Sequence, residues 1–190
     1  KTIKATDKAG NKAQTSVTFT IDKTAPSITI DSPSDNTITN ANVTLNYTVT
    51  EANSYTITEG DASGTVYKDE GKYTKTIEAT DAAGNKSAEV SVTFTIDKSV
   101  PTITITSPSN NTVTKDNVTF NYTVTDSLAG VQSTEGDASG TVYTQEGAYT
   151  KTIKATDSAG NKSEKTVTWT IDKTAPSITI DSPSDNTITN

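Results

Sequence analysis

Residues 17–30 read V-T-F-T-I-D-K-T-A-P-S-I-T-I, and the fold turns on this stretch. Before the aspartate, Val17, Phe19 and Ile21 alternate with Thr18 and Thr20; after the proline, Ile28 and Ile30 flank Thr29. An alternation of period two places one set of side chains on a buried face and the other in water, as in a half-buried strand. Threonine suits the wet side because its β-branch fits the pleat and its hydroxyl is hydrated. The stretch therefore joins the last strand of one unit to the first strand of the next. The link is short, and Pro26 restricts its path.

The string returns 75 residues later as V-T-F-T-I-D-K-S-V-P-T-I-T-I from Val92, and again at the same interval as V-T-W-T-I-D-K-T-A-P-S-I-T-I from Val167. Other landmarks keep the period to within one residue. Tyr47 matches Tyr122, E-G-D-A-S-G-T-V-Y from Glu59 recurs from Glu135, and T-D-A-A-G-N-K-S from Thr80 recurs as T-D-S-A-G-N-K-S from Thr156. Residues 1–40 and 151–190 differ only at positions 8, 13, 14, 15, 16 and 19. Tandem duplication on this scale defines two whole repeats, 25–98 and 100–173. They are flanked by the C-terminal part of a preceding repeat (1–24) and the N-terminal part of a following one (174–190), so the natural chain is expected to continue in both directions.

Within a repeat, alternation predicts strands near 27–30, 43–49, 55–58, 65–67, 73–80 and 91–96. They are separated by the turn segments 32–36, 60–64, 69–71 and 81–85, rich in Gly, Pro, Asn, Asp and Ser. Six or seven short strands in so few residues imply a β-sandwich. The class is all-β: Thr, Val, Ile and Tyr dominate, and strong helix-forming stretches are missing.

Composition narrows the chemistry. The chain has 190 residues with no Cys, His or Met, which removes thiolate and Ser-His-Asp catalysis and zinc sites built on Cys or His. A formal charge of -7 disfavours nucleic acid and anionic membranes, and no apolar run is long enough to span a bilayer. No enzyme class is indicated.

The pattern Y-T-x-T-I-x-A-T-D-x-A-G-N-K-S, followed by V-T-F-T-I-D-K-x-x-P-x-I-T-I, resembles the bacterial immunoglobulin-like repeats strung along large surface adhesins. The resemblance covers every repeat. It implies tandem immunoglobulin-like β-sandwich domains in an elongated array, extracellular and at the cell surface. With strands of about eight residues, such an array advances on the order of 40 Å per repeat. The expected role is a stalk or spacer that projects a distal binding region for a host-cell, glycan or surface ligand outside these residues. Its immediate partners are the neighbouring repeats.

In an immunoglobulin-like sandwich the chain enters beside the loops that follow the second and the penultimate strand. That topology brings Asp22, Glu51 and Asp81 together in the first repeat, and Asp97, Asp126 and Asp157 in the second. Three carboxylates suit a hard cation such as calcium, and the related adhesin repeats carry calcium at their junctions. Asp81 and Asp157 can equally cap their own turns, with Gly84 or Gly160 supplying the left-handed residue, and the link aspartates can pair with Lys23, Lys98 or Lys173.

A second candidate is Lys75, copied as Lys151. Alternation points it inward, where it could form an isopeptide bond to Asn or extend along the sandwich rim to water. The N-x-S/T sequons at Asn42, Asn46, Asn85, Asn110, Asn117, Asn121 and Asn161 matter only in a host that glycosylates asparagine. Tyr67, Tyr73, Tyr143 and Tyr149 suit either a sugar-stacking face or the core. The competing functions are a carbohydrate- or protein-binding module and a subunit of an extracellular filament or surface layer.

Overall fold

The computed structural model describes residues 1–182, Asn186 and Ile188. Among these residues the regular secondary structure is entirely β, and no helix is long and apolar enough to cross a membrane. The chain divides into two compact units, residues 1–37 with 42–94, and residues 38–41 with 95–190.

The first unit opens with the hairpin of β1 (Thr2–Thr6) and β2 (Lys12–Ser16). Its sandwich is built from β3 (Ser27–Ser32), β4 (Thr37–Thr39), β5 (Val43–Thr50), β6 (Tyr55–Glu59), β7 (Thr65–Tyr67), β8 (Gly71–Asp81) and β9 (Val90–Ile96), with β4 and the end of β9 lying where the division falls. One sheet has the order β3-β5-β7 and the other β4-β9-β8-β6. Leu45, Tyr47, Ile77 and Val92 are buried together, with Ile28, Ile30 and Val49 packed against them.

The second unit repeats the plan with β10 (Thr102–Ser107), β11 (Thr112–Thr114), β12 (Val118–Thr125), β13 (Val131–Glu135), β14 (Thr141–Tyr143), β15 (Gly147–Asp157) and β16 (Lys162–Ile171). Its sheets run β10-β12-β14 and β11-β16-β15-β13. Trp169, Phe120, Ile153 and Ile171 form the centre of its core. Tyr143 and Tyr149 pack on Trp169 at 5.0 and 5.2 Å between ring centroids, as Tyr67 and Tyr73 pack on Phe94. These four tyrosines are core aromatics rather than an exposed stacking face.

Two features depart from the sequence expectations. The short strands β4 and β11 were not predicted, because they present no buried apolar set: Ile38 and Val113 are exposed. They form instead because the turn before each is fastened to the last strand of its sandwich. Thr168 N–H donates to Asn110 Oδ1, Asn111 N–H donates to the Thr168 carbonyl, and β11 then runs parallel to β16.

The second departure lies in the opening stretch itself. Residues 17–21 are not a strand, and Val17, Phe19 and Ile21 are exposed, whereas their copies in β9 and β16 are buried. Likewise residues 177–180 are not in a strand, although the identical sequence forms β3. Alternation specifies a strand only where a facing sheet covers its apolar side. Of the expected N-terminal part of a following repeat, residues 183–185, 187, 189 and 190 lie outside the described residues.

Candidate cation site at the incoming end of each repeat

In the second unit, Asp97 precedes the first strand of the sandwich, Asp126 follows β12, and Asp157 ends β15. Strands β12 and β15 finish at the same end of the sandwich, where the chain enters. One carboxylate oxygen from each residue lies within 4.8 Å of the others. Asp97 and Asp157 are wholly buried.

Main-chain N–H groups set the orientation of each carboxylate. Asp157 Oδ1 accepts from Ala159 and Asn161 at 2.9 and 2.8 Å, closing a turn in which Gly160 holds φ at 92°. Asp126 Oδ1 accepts from Leu128 and Gly130. Asp97 accepts from Ser99 on one oxygen and from Ala129 on the other. The turn-capping role foreseen for Asp157 is thus present together with the convergence of the three acids.

The first unit carries the matching set. Asp22, Glu51 and Asp81 also place one oxygen each within 4.8 Å of one another. Asp81 caps Ala83 and Asn85, Glu51 caps Ala52 and Asn53, and Asp22 caps Thr24. The Asn85 side-chain amide, followed by main-chain N–H groups, holds the Asp81 carboxyl below its ordinary pKa and keeps it ionised.

Sequence reading missed Asn85 and Asn161, which it took as turn residues. Asn161 Nδ2 donates to Asp157 Oδ2 and, at 2.8 Å, to the main-chain carbonyl of Asp97. Asn85 Nδ2 reaches Asp81 Oδ2 and, at 3.3 Å, the carbonyls of Asp22 and Thr24. Each asparagine ties the incoming segment to the turn. Their repetition directly after Gly84 and Gly160 was the available signal. Asn53 adds a further tie, donating to Asp22 Oδ2.

The arrangement fits a hard cation on its chemistry. Like charges this close repel by about 4 kcal/mol per pair at 4 Å for an effective dielectric near 20. Main-chain dipoles offset part of that repulsion. Ionised carboxylates offer about four acceptor positions each, so capacity remains after the turns are capped. An all-oxygen, anionic donor set is what calcium takes and what softer metals do not require. Lys173, the last of the three link lysines, stands at the far end of the second unit from these acids, where its ammonium donates to Asn117 Oδ1 and to the Thr144 carbonyl.

Lys75 neither reaches water alone nor meets an asparagine. Its ammonium pairs with Asp61 Oδ2 at 2.9 Å and lies 4.8 Å from the centre of the Tyr67 ring, while the Tyr67 hydroxyl donates to the same oxygen. Lys151, Asp137 and Tyr143 repeat the cluster. The segment read as a simple Gly-Asp-Ala-Ser-Gly turn is thereby pinned, and the strand asparagine Asn46 donates elsewhere, to Ser32 Oγ.

Residues 65–135 and 141–190 match the family model described as bacterial Ig-like domain (group 3), and residues 24–98 match a second model described as bacterial Ig-like domain. No curated protein matches the chain. Solved structures that align with it include the fibronectin(III)-like modules of Clostridium thermocellum CbhA, at 16% identity over 76% of this chain and 94% of that one, with a TM-score of 0.35. The D00-D0 domain of intimin aligns at 15% identity over 76% of this chain and 98% of that one, with a TM-score of 0.35. The protocadherin gammaB7 EC3-6 cis-dimer structure aligns at 14% identity over 90% of this chain, which spans 57% of that one, with a TM-score of 0.34.

Proposed function

Since this chain belongs to the bacterial Ig-like domain family, we propose that it is a run of spacer repeats in an extracellular surface protein of the adhesin type. In this reading the repeats form a stalk whose joints calcium stiffens and whose ligand is bound by regions outside these residues.

The observation that carries the reading is the copied joint. Both repeats bring three carboxylates to the incoming segment, and both fasten that segment to the turn after the long strand through an asparagine. Domains of the bacterial Ig-like families are typically non-catalytic structural modules, which supports the same reading. Bound there, a divalent cation would supply charge neutralisation between the link and the two loops. Asp97, Asp126 and Asp157 would hold it in the second unit, and Asp22, Glu51 and Asp81 in the first.

Stiffness is what a spacer requires of such a joint. Loops and links are the mobile parts of a tandem array, and relative motion between small domains is the default. Small-angle scattering tests the proposal. The full chain should be an extended rod in calcium and should gain flexibility in chelator. A compact or freely flexing particle in calcium would overturn the stalk.

A further inference from the structure

At the opposite end of the second unit, three successive residues leaving β16 are fastened to their own domain. Asp172 N–H donates to the Thr114 carbonyl at 2.9 Å, and Asp172 Oδ1 in turn accepts from Thr174 N–H at 3.0 Å. Lys173 N–H donates to Glu146 Oε1, and the Thr174 hydroxyl lies 3.0 Å from the same oxygen. The Lys173 ammonium completes the set by donating to Asn117 Oδ1 at 3.0 Å and to the Thr144 carbonyl at 2.8 Å.

Glu146 stands just before β15 and Asp157 at its end. Eleven residues at about 3.3 Å each separate the two ends of that strand by roughly 35 Å, so no cation held by Asp157 touches Glu146. We propose that Glu146, with Asn117 and the Thr144 carbonyl, is an exit clamp that fixes the direction of the outgoing link without metal. The clamp gives the link two anchors of different kinds, one through an ionised carboxylate and one through an ammonium. Ala175 and Pro176 follow at once, and proline narrows the conformations of both residues. Direction set at Thr174 is therefore carried forward.

The sequence carries the same set at Asn42, Glu70, Lys98 and Ser99, where serine keeps the hydroxyl of Thr174. These side chains lie in turns and a link, where the sandwich core makes no demand for them. The value of the clamp to a stalk rests on the proposed function, but its existence does not, so the two can fail separately.

Amide hydrogen exchange on the full chain, residue by residue in chelator, decides the matter. The Lys173 amide is expected to exchange about tenfold or more slowly than in an unstructured peptide, with calcium adding little. E146A should bring Lys173 to the unstructured rate while the core amide of Trp169 stays protected. E146Q, which keeps an acceptor without the charge, should fall between the two. An unprotected Lys173 in the wild-type chain, protection that appears only with calcium, or full protection in E146Q and E146A would each overturn the clamp. Should E146A lower protection throughout the unit, the intermediate rate in E146Q, confined to Lys173 and Thr174, carries the test.

Discussion

Asn161 donates its side-chain amide to the main-chain carbonyl of Asp97, 2.8 Å away and 64 residues earlier in the chain. This bond joins the link to the turn whether or not a cation is bound. Removing it in N161A leaves a buried carbonyl and the Asp157 carboxylate each short of a donor. The expected cost is about 1–2 kcal/mol, read by urea denaturation of the second unit. N161D, which adds a fourth acid, should cost more in chelator than N161A, and the order should narrow in calcium. An N161D variant as stable as wild type in chelator would contradict this electrostatic account.

Calcium at a hundredfold excess over its dissociation constant should raise the stability of each unit by about 2.7 kcal/mol. D157N keeps an oxygen to cap Ala159 and Asn161 but loses the charge, so it should abolish the calcium increment in the second unit and spare that in the first. D81N should do the reverse. Calorimetric titration and thermal melts check both. Melting curves of the wild-type chain that superimpose with and without calcium would remove the cation from the joint.

The sandwich was largely legible because its strands bury one face, and burial of one face writes itself into alternate residues such as Val43, Leu45 and Tyr47. What alternation could not show was tertiary context. Val17, Phe19 and Ile21 have the same pattern as Val92, Phe94 and Ile96, yet are exposed and outside any strand. The acids could be placed because sandwich topology fixes which loops share an end. The asparagines were missed because strand alternation says nothing of a long-range side-chain bond to a main-chain carbonyl, and only their repetition after Gly84 and Gly160 marked them. Glu146 was hidden for the same reason. For Lys75, alternation gave the direction of the side chain but not the partner, because Asp61 lies in a loop whose path no strand pattern fixes.

The lysine clusters should set limits on stability at both ends of the pH scale. Asp61 is held below its ordinary value of 3.8 by the Tyr67 hydroxyl and then by Lys75; Asp137 is held down by Lys151 and then by Tyr143. A depressed carboxyl stabilises the fold above its ordinary value, and that contribution is lost as pH falls through the lower folded value. Lys75 and Lys151 are raised above 10.5 by their aspartates, so their contribution holds below 10.5 and is lost as pH rises through the folded value. Melting temperature should be flat through neutrality and fall at both extremes. In a D61N/D137N chain the alkaline fall should shrink and the acid fall should become shallower, though not vanish, because Asp35, Asp81 and Glu146 are also held down. An alkaline limb unchanged by the double variant would contradict the pairing.

Gly136 sits where no side chain fits. A Cβ there would lie 2.6 Å from the Thr152 carbonyl oxygen, at a φ of 115°. At Gly140, φ is 94° but the added atom meets nothing within 4 Å. G136A should cost more than about 2 kcal/mol, and G140A about 1 kcal/mol from backbone strain alone. Equal costs in denaturant titrations would show that the close approach is easily relieved.

Trp169 is buried with its indole N–H unpartnered among the described residues, and Phe94 fills the matching place in the first unit. Phenylalanine removes that N–H together with some apolar area, so W169F should change stability by no more than about 1 kcal/mol. W169A should cost about 4 kcal/mol through the cavity it leaves. Chemical denaturation followed by circular dichroism separates the two; a W169F loss as large as that of W169A would show that the indole's size, not its polarity, decides.

The parallel pairing of β11 with β16 has a mechanical consequence. One strand lies near the start of the sandwich and the other at its finish, side by side and pointing the same way. Tension drawn through the two ends of the chain pulls them along their length in opposite senses. Their hydrogen bonds are then sheared together rather than peeled singly, so a three-residue strand that adds little to the core resists a pulling force out of proportion to its length.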